Sequence, residues 1–194
     1  MRIVWNRALL VALTGLFSCI IPSESAADDP CVSGLAPGKR PGPYSFVIST
    51  GPDRGRDPQC YICKTADLPA VIVFARKPSD PLGKLVAQLD KALVEHKAAD
   101  LRAWVTFLSN DQAQLDPELV RWSQKHGLKS IPVGTFESDS GPVQYQLAAD
   151  ADVTVLLFVK RKVAVNFAFR SGELTEEARA EVMKALPKIL PEKK

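Results

Sequence analysis

Histidine is scarce in this sequence, which contains only His96 and His126. A zinc site is usually built from four side chains, and the C-x-x-C pair at Cys60 and Cys63 has no second C-x-x-C to complete it. A c-type haem would need a histidine directly after the second cysteine, where Lys64 stands instead. We therefore expect neither a metal site nor a cofactor, and we expect both histidines near the C-terminal ends of helices.

A strong excess of charge is also missing. The chain has 25 Lys and Arg against 22 Asp and Glu, a net charge of +3. This charge is too small to predict binding to nucleic acid or to an anionic membrane. The only basic run, residues 160–162, lies between two apolar segments and predicts a solvated hairpin turn. No glycine-rich phosphate loop follows a strand and no serine–histidine–carboxylate set is suggested, so neither chemistry is expected.

The first 27 residues read as a secretory signal peptide. Arg2 and Arg7 precede an apolar run over residues 8–21, and small residues stand just before Asp28. The run is shorter than the roughly 20 residues that span a bilayer, so we expect an exported protein, with an uncleaved membrane anchor as the less favoured alternative. Cys19 suggests a lipoprotein only weakly, because its surroundings fit that motif poorly.

After the signal segment, three cysteines remain: Cys31, Cys60 and Cys63. An odd number in an exported protein predicts one bridge and one free thiol, or an intermolecular link. Closing a four-residue ring stabilises a fold by about 2 kcal/mol, whereas a thirty-residue ring from Cys31 to Cys60 would contribute about 3.5 kcal/mol. The close pair is therefore either redox-active, or one of its members is bonded to Cys31.

Charged residues near the pair in sequence bear on its reactivity. Arg54, Arg56 and Lys64 would lower the pKa of a nearby thiol, whereas Asp57 and Asp67 would raise it. Their effects oppose one another, so the sequence alone does not predict a strongly activated thiol.

Hydrophobic periodicity predicts alternating strands and helices. Residues 28–43 form a Pro- and Gly-rich arm, and residues 44–194 form one domain. We expect Asp80, Asp116 and Thr175 to cap the three main helices. The predicted elements are strand 44–49, a polar loop 50–69 that carries the cysteine pair, strand 70–75, helix 82–96, strand 103–108, helix 117–126, strand 131–136, the hairpin 153–159 and 163–169, and helix 176–186. This order predicts an α/β fold with a central mixed sheet and helices on both faces.

From residue 34 to residue 187 the chain resembles the thioredoxin superfamily, in particular its redoxin and peroxiredoxin-like branch. The resemblance is carried by the apolar strand 71–75, the helix end at 124–128 and the strand 153–158 with its hairpin partner. It implies a thioredoxin-like fold. It also implies a reactive cysteine just after strand 70–75, where this chain has Ser79-Asp80-Pro81-Leu82, and a cis-proline where Val153 follows Asp152. We expect an ordinary trans peptide at Val153.

The cysteine pair and the resemblance lead to two hypotheses. In the first, the protein is a thiol–disulfide oxidoreductase or redox partner that acts on a protein thiol or disulfide. Cys60 would then attack, Cys63 would resolve the mixed disulfide, and Cys31 would be a third participant. In the second, the fold survives as a redox-inactive binding or structural module with a static disulfide.

Overall fold

The computed structural model describes residues 29–191, so the expected signal peptide and Cys19 lie outside the described residues. The elements in chain order are β1 (Val47–Thr50), α1 (Tyr61–Thr65), β2 (Ala70–Ala75), α2 (Asp80–Glu95), β3 (Arg102–Leu108), α3 (Gln112–Lys125), β4 (Val133–Phe136), β5 (Val153–Val159), β6 (Lys162–Phe169) and α4 (Glu176–Ala185). Within residues 29–191, no helix is both long and apolar enough to cross a membrane.

The strands form one six-stranded sheet in the order β1-β4-β3-β2-β5-β6. Strands β2, β3 and β4 are parallel, because each is joined to the next by a helix. Strand β5 is antiparallel to β2, and β6 and β1 complete the two edges in antiparallel pairing. The mixed sheet predicted from the sequence is confirmed.

The two faces of the sheet are covered differently. Side chains along β2 alternate, so that Val71 and Val73 point to one face while Ile72 and Phe74 point to the other. Helices α2, α3 and α4 pack on the first side, which we call the helix face. The second side, which we call the arm face, is covered by the N-terminal segment, by α1 and by a 3₁₀ turn at Val143–Tyr145. Helices therefore lie on both faces, as predicted, but the arm face carries only a short one.

The predicted caps of two helices are wrong. Helix α2 is capped by Ser79, whose Oγ accepts the backbone N–H of Leu82 at 3.4 Å, so Asp80 is already helical. Helix α3 begins at Gln112 rather than Pro117, because Asp111 provides the cap by accepting the N–H of Gln114 at 3.0 Å. Proline is common at the start of helices and suggested a start at residue 117, but here Pro117 lies inside the helix.

Other predicted elements agree closely with the structure. Strands β2 and β5 have the predicted bounds, and Thr175 caps α4 by accepting the N–H of Ala178 at 3.2 Å. The β5–β6 hairpin turns at Lys160 and Arg161, both with positive φ, as in the tight two-residue turns that match strand twist. The predicted hairpin turn in the basic run is therefore confirmed.

Candidate functional site: a disulfide at the start of a short helix

The cysteine pair lies at the N-terminus of α1 rather than in an irregular loop. Cys60 is the N-cap residue of this helix and Cys63 lies in its first turn, and the two are joined by a disulfide with their Cα atoms 5.4 Å apart. The sulfur of Cys60 accepts the backbone N–H of Cys63 at 3.2 Å. The prediction of a loop over residues 50–69 is wrong at this point, because five residues are too few to show helical periodicity in sequence.

Packing and hydrogen bonds fix α1 against the arm face of the sheet. The ring of Tyr61 lies 5.6 Å from the rings of both Phe46 and Trp104. Its hydroxyl donates a hydrogen bond to Asp53 at 2.7 Å, and burial together with this contact raises the pKa of Tyr61. The backbones of Phe46 and Gln59 exchange two hydrogen bonds just before the helix. These contacts hold the helical turn that carries the disulfide against the sheet.

The two sulfur-bearing residues differ in exposure. Cys60 is half-buried, whereas Cys63 is exposed and lines an open pocket of about 220 Å³. Ile62 and Phe158 give the pocket an apolar wall, and two basic residues, Arg40 and Arg161, also line it. Cys63 lines this pocket and Cys60 does not.

The charged groups at the pocket are not those closest to the pair in sequence. Arg54 forms an ion pair with Asp116 at 3.3 Å and Arg56 forms one with Asp53 at 3.1 Å, so both are engaged elsewhere. The sequence signal for the pocket's own cations was weak, because Arg40 belongs to the N-terminal arm and Arg161 to the β5–β6 turn. Only folding brings these residues to Cys63.

The disulfide lies at the opposite end of β2 from the position that the thioredoxin resemblance implies. Helix α1 precedes β2, whereas Ser79 and Pro81 follow β2. The six residues of β2, about 20 Å of extended chain, stand between the two places in the fold. A cavity of about 120 Å³ lies beside Ser79, Pro81 and Val153, and no cysteine lines it. Residues 29–191 contain no cis peptide bond, so the trans link expected at Val153 is confirmed.

Cys31 is not bonded to either member of the pair. It is half-buried beside Arg170, Asp150 and Glu173, near the end of the sheet where β2 finishes and β5 begins. Burial raises the pKa of the Cys31 thiol, and the charge of Arg170 offsets this in part. The alternative bridge from Cys31 to one of the pair is therefore wrong for this structure, and a part for Cys31 as a third thiol stays a prediction.

The histidines occupy the helix ends expected from the sequence. His96 follows α2 and His126 follows α3, each as the C-cap residue. The ring of His126 packs against Gly83 of α2 and close to Trp122. No group of three or more His, Cys, Asp or Glu residues in the described part of the chain is arranged to hold a metal ion.

The architecture is that of the thioredoxin-like fold. A protein assigned as a disulfide isomerase from Bacteroides thetaiotaomicron superposes with a TM-score of 0.61 at 14% identity, over 84% of this chain and 96% of that one. A thiol-disulfide oxidoreductase from Bacteroides fragilis gives 0.53 at 16% identity, over 76% and 99%. The peroxidoxin BcpB from Mycobacterium tuberculosis gives 0.55 at 15% identity, over 80% and 96%.

At these identities the structural similarity shows the fold alone. No protein-family model matches the sequence, and no curated protein matches it either. The feature of this chain that bears on its chemistry is the Cys60–Cys63 disulfide.

Proposed function

We propose that this protein is an exported thiol–disulfide exchange protein whose redox pair is Cys60 and Cys63. The observation that carries the proposal is the disulfide itself, which sits at a helix start with one sulfur-bearing residue exposed in an open pocket. Structural disulfides with no exchange function have no need of such access, whereas attack on a disulfide sulfur requires it. The expected signal peptide supports export. The disulfide supports it too, because disulfides persist mainly outside the cytosol.

The exposure of the two cysteines suggests how roles are divided. A substrate thiolate attacks the sulfur of Cys63, a new S–S bond forms to the substrate, and the Cys60–Cys63 bond breaks with Cys60 as the leaving thiolate. The N–H of Cys63, which already points at the sulfur of Cys60, stabilises that thiolate. A second substrate thiolate then attacks the substrate sulfur and releases Cys63. Two electrons pass to the pair, and the substrate is left as a disulfide.

This division differs from the assignment made on sequence, which gave Cys60 the first attack. In the reverse direction, with a reduced pair, Cys63 meets the substrate disulfide and Cys60 resolves the mixed disulfide. The N–H of Cys63 beside the sulfur of Cys60 suits Cys60 to act as both the leaving group and the resolving thiol.

The reduction potential tests the proposal. We would equilibrate the protein in graded thiol–disulfide buffers, trap free thiols by alkylation, and map pairing and N-terminus by mass spectrometry. A Cys60–Cys63 bridge that titrates between about −120 and −270 mV lies among known exchange catalysts. A bridge below about −300 mV, or one that does not react with thiols, would contradict the proposal. An N-terminus near residue 28 in protein from its host is the outcome expected for export.

Single variants test the division of roles. Both variants are made in a C31S background, because Cys31 is a free thiol. In C60S only Cys63 can then form a mixed disulfide with a small disulfide probe, and in C63S only Cys60 can. Each variant is the matched control of the other. We expect C60S to react faster, because Cys63 is exposed and Cys60 is half-buried. A faster reaction of C63S would restore the sequence-based assignment of Cys60 as the attacking thiol.

A redox-inactive binding module is the second candidate function. It is favoured by the residue found where the resemblance implies a reactive cysteine, since Ser79 there acts as the cap of α2. This candidate predicts a disulfide that resists mild reductant, and it loses support if the potential falls in the range of exchange catalysts.

A further inference from the structure

Cations from two separate segments of the chain line the pocket beside Cys63. Arg40 comes from the N-terminal arm and Arg161 from the β5–β6 turn, whereas Lys64, which follows Cys63 in α1, does not line it. We call Arg40 and Arg161 the basic rim. Their proximity to one another is fixed by backbone hydrogen bonds, since the N–H of Val163 donates to the carbonyl of Lys39 at 2.9 Å.

The positive charge of the basic rim is only partly neutralised. Asp67 pairs with Arg161 at 3.1 Å, and its side chain is 74% exposed. Within residues 29–191, neither Arg40 nor Lys64 forms an ion pair. The ammonium group of Lys64 instead donates to the side-chain oxygen of Gln59 at 2.5 Å and lies 5.5 Å from the centre of the Tyr61 ring. The rim thus keeps unpaired charge beside an exposed disulfide.

The pocket combines this charge with an apolar wall. Ile62 and Phe158 offer a surface for the apolar part of a ligand, while the guanidinium groups of Arg40 and Arg161 can bind carboxylates through paired hydrogen bonds. Like charges repel, so a basic thiol substrate would approach this sulfur less readily than an acidic one. The pocket therefore selects by charge at the place where exchange would occur.

We propose that the substrates of this site are thiols or disulfides that carry carboxylates close to the sulfur. The inference rests on the proposed exchange function and adds the substrate class to it. Acidic cysteine peptides and small carboxylate thiols share this chemistry. In the exchange step, the substrate thiolate attacks the sulfur of Cys63 and expels Cys60 as a thiolate, while the substrate carboxylates pair with Arg40 and Arg161.

The test compares two blocked tripeptides, Glu-Cys-Glu and Gln-Cys-Gln, as reductants of the oxidised protein. Alkylation and mass spectrometry give the rate at which each peptide opens the Cys60–Cys63 bond. Each rate is divided by the rate of the same peptide with hydroxyethyl disulfide, a neutral reference, so that differences in intrinsic thiol reactivity cancel. We expect the acidic peptide to react about tenfold faster at low salt, the size expected of two exposed ion pairs with electrostatic steering.

Variants and salt identify the groups responsible. R40Q/R161Q should lose the preference, while K84Q/K91Q removes the same charge from exposed positions of α2 on the helix face and should keep it. Raising the salt from about 0.01 M to about 1 M shortens the screening length from about 30 Å to about 3 Å, so the preference should vanish in the unmodified protein also. The salt series needs no variant to fold.

The outcomes separate this inference from the proposed function. Exchange at equal normalised rates with both peptides overturns the inference and leaves the proposed function standing. No exchange with either peptide overturns both. A comparison of free glutathione with its ethyl ester, made in the same way, distinguishes small carboxylate thiols from acidic proteins as the substrates. A preference for the free acid identifies small carboxylate thiols as substrates, and a preference confined to the tripeptides identifies acidic proteins.

Discussion

The three tyrosines of this chain, Tyr44, Tyr61 and Tyr145, all have pKa values raised above the usual value of about 10. The main cause is burial, which disfavours the phenolate. Tyr145 is fully buried and donates a hydrogen bond to the carbonyl of Gly42 at 2.7 Å. Tyr44 accepts the indole N–H of Trp104 at 2.8 Å on the arm face. We predict that the protein loses stability steeply in alkali.

The sign and size follow from proton linkage. A tyrosine with a raised pKa holds its proton in the folded state, whereas the unfolded chain releases it as the pH rises above about 10. The free energy of unfolding contributed by such a group is therefore fully present below pH 10 and falls above it. Each group lowers the free energy of unfolding by up to about 1.4 kcal/mol per pH unit, so Tyr44 and Tyr145 together lower it by about 2.7 kcal/mol per unit.

The assay is urea unfolding at a series of pH values between about 9 and 12, with tyrosinate absorbance recorded in parallel. In Y145F the slope above pH 10 should be smaller by about 1.4 kcal/mol per pH unit, and stability at neutral pH should fall by about 1 kcal/mol through the lost hydrogen bond. Contributions from other titrating groups are common to both proteins and cancel in the comparison. An unchanged slope in Y145F, or tyrosinate that forms well before unfolding, would refute the reasoning.

Two further substitutions, measured by urea unfolding, test a packing contact and a hydrogen-bond network of helix α2. Alanine for glycine normally stabilises a helix by about 1 kcal/mol, but a Cβ at Gly83 would lie 2.2 Å from the ring of His126, so G83A should destabilise by about 1–3 kcal/mol. Recovery of stability in G83A/H126A would support a clash with the His126 ring as the cause. A G83A variant more stable than the unmodified protein would exclude that clash. The nearly buried carboxylate of Asp90 accepts three backbone N–H groups at residues 129–131, at 2.6–3.2 Å, so D90A should cost about 3 kcal/mol. A loss of unfolding free energy below about 1 kcal/mol in D90A would contradict this role of the carboxylate. D90N, which keeps one acceptor oxygen, is the matched control for D90A.

Parts of the fold were predictable because the local signal was unambiguous. The apolar runs of β2 and β5 can only be accommodated by burial, and the structure gives both strands the predicted bounds. Thr175 was correctly recognised as a cap because an acidic first turn follows it. The start of α3 was misplaced because Pro117 resembled a first-turn proline, while the effective cap, Asp111, gave a weaker signal.

The candidate site was predictable only in part. The close spacing of Cys60 and Cys63 was enough to propose a bonded pair, since residues three apart can meet in any tight turn. The helix that holds them was missed, because α1 has only five residues and is stabilised by the packing of Tyr61 on Phe46 and Trp104. Short helices depend on tertiary contacts, which are not visible in a local pattern.

The amino-acid sequence by itself determined the alternation of strands and helices, because hydrophobic periodicity is a local property of the chain. It also determined that two cysteines would lie close enough to bond. Only the tertiary structure decided which of the two bonded cysteines lines the pocket, that Cys31 lies beside Arg170, and that Arg40 and Arg161 line the pocket with Cys63. Those relations join segments far apart in sequence. They depend on the order of strands in the sheet and on which face each connection covers, and no single segment of sequence specifies either one.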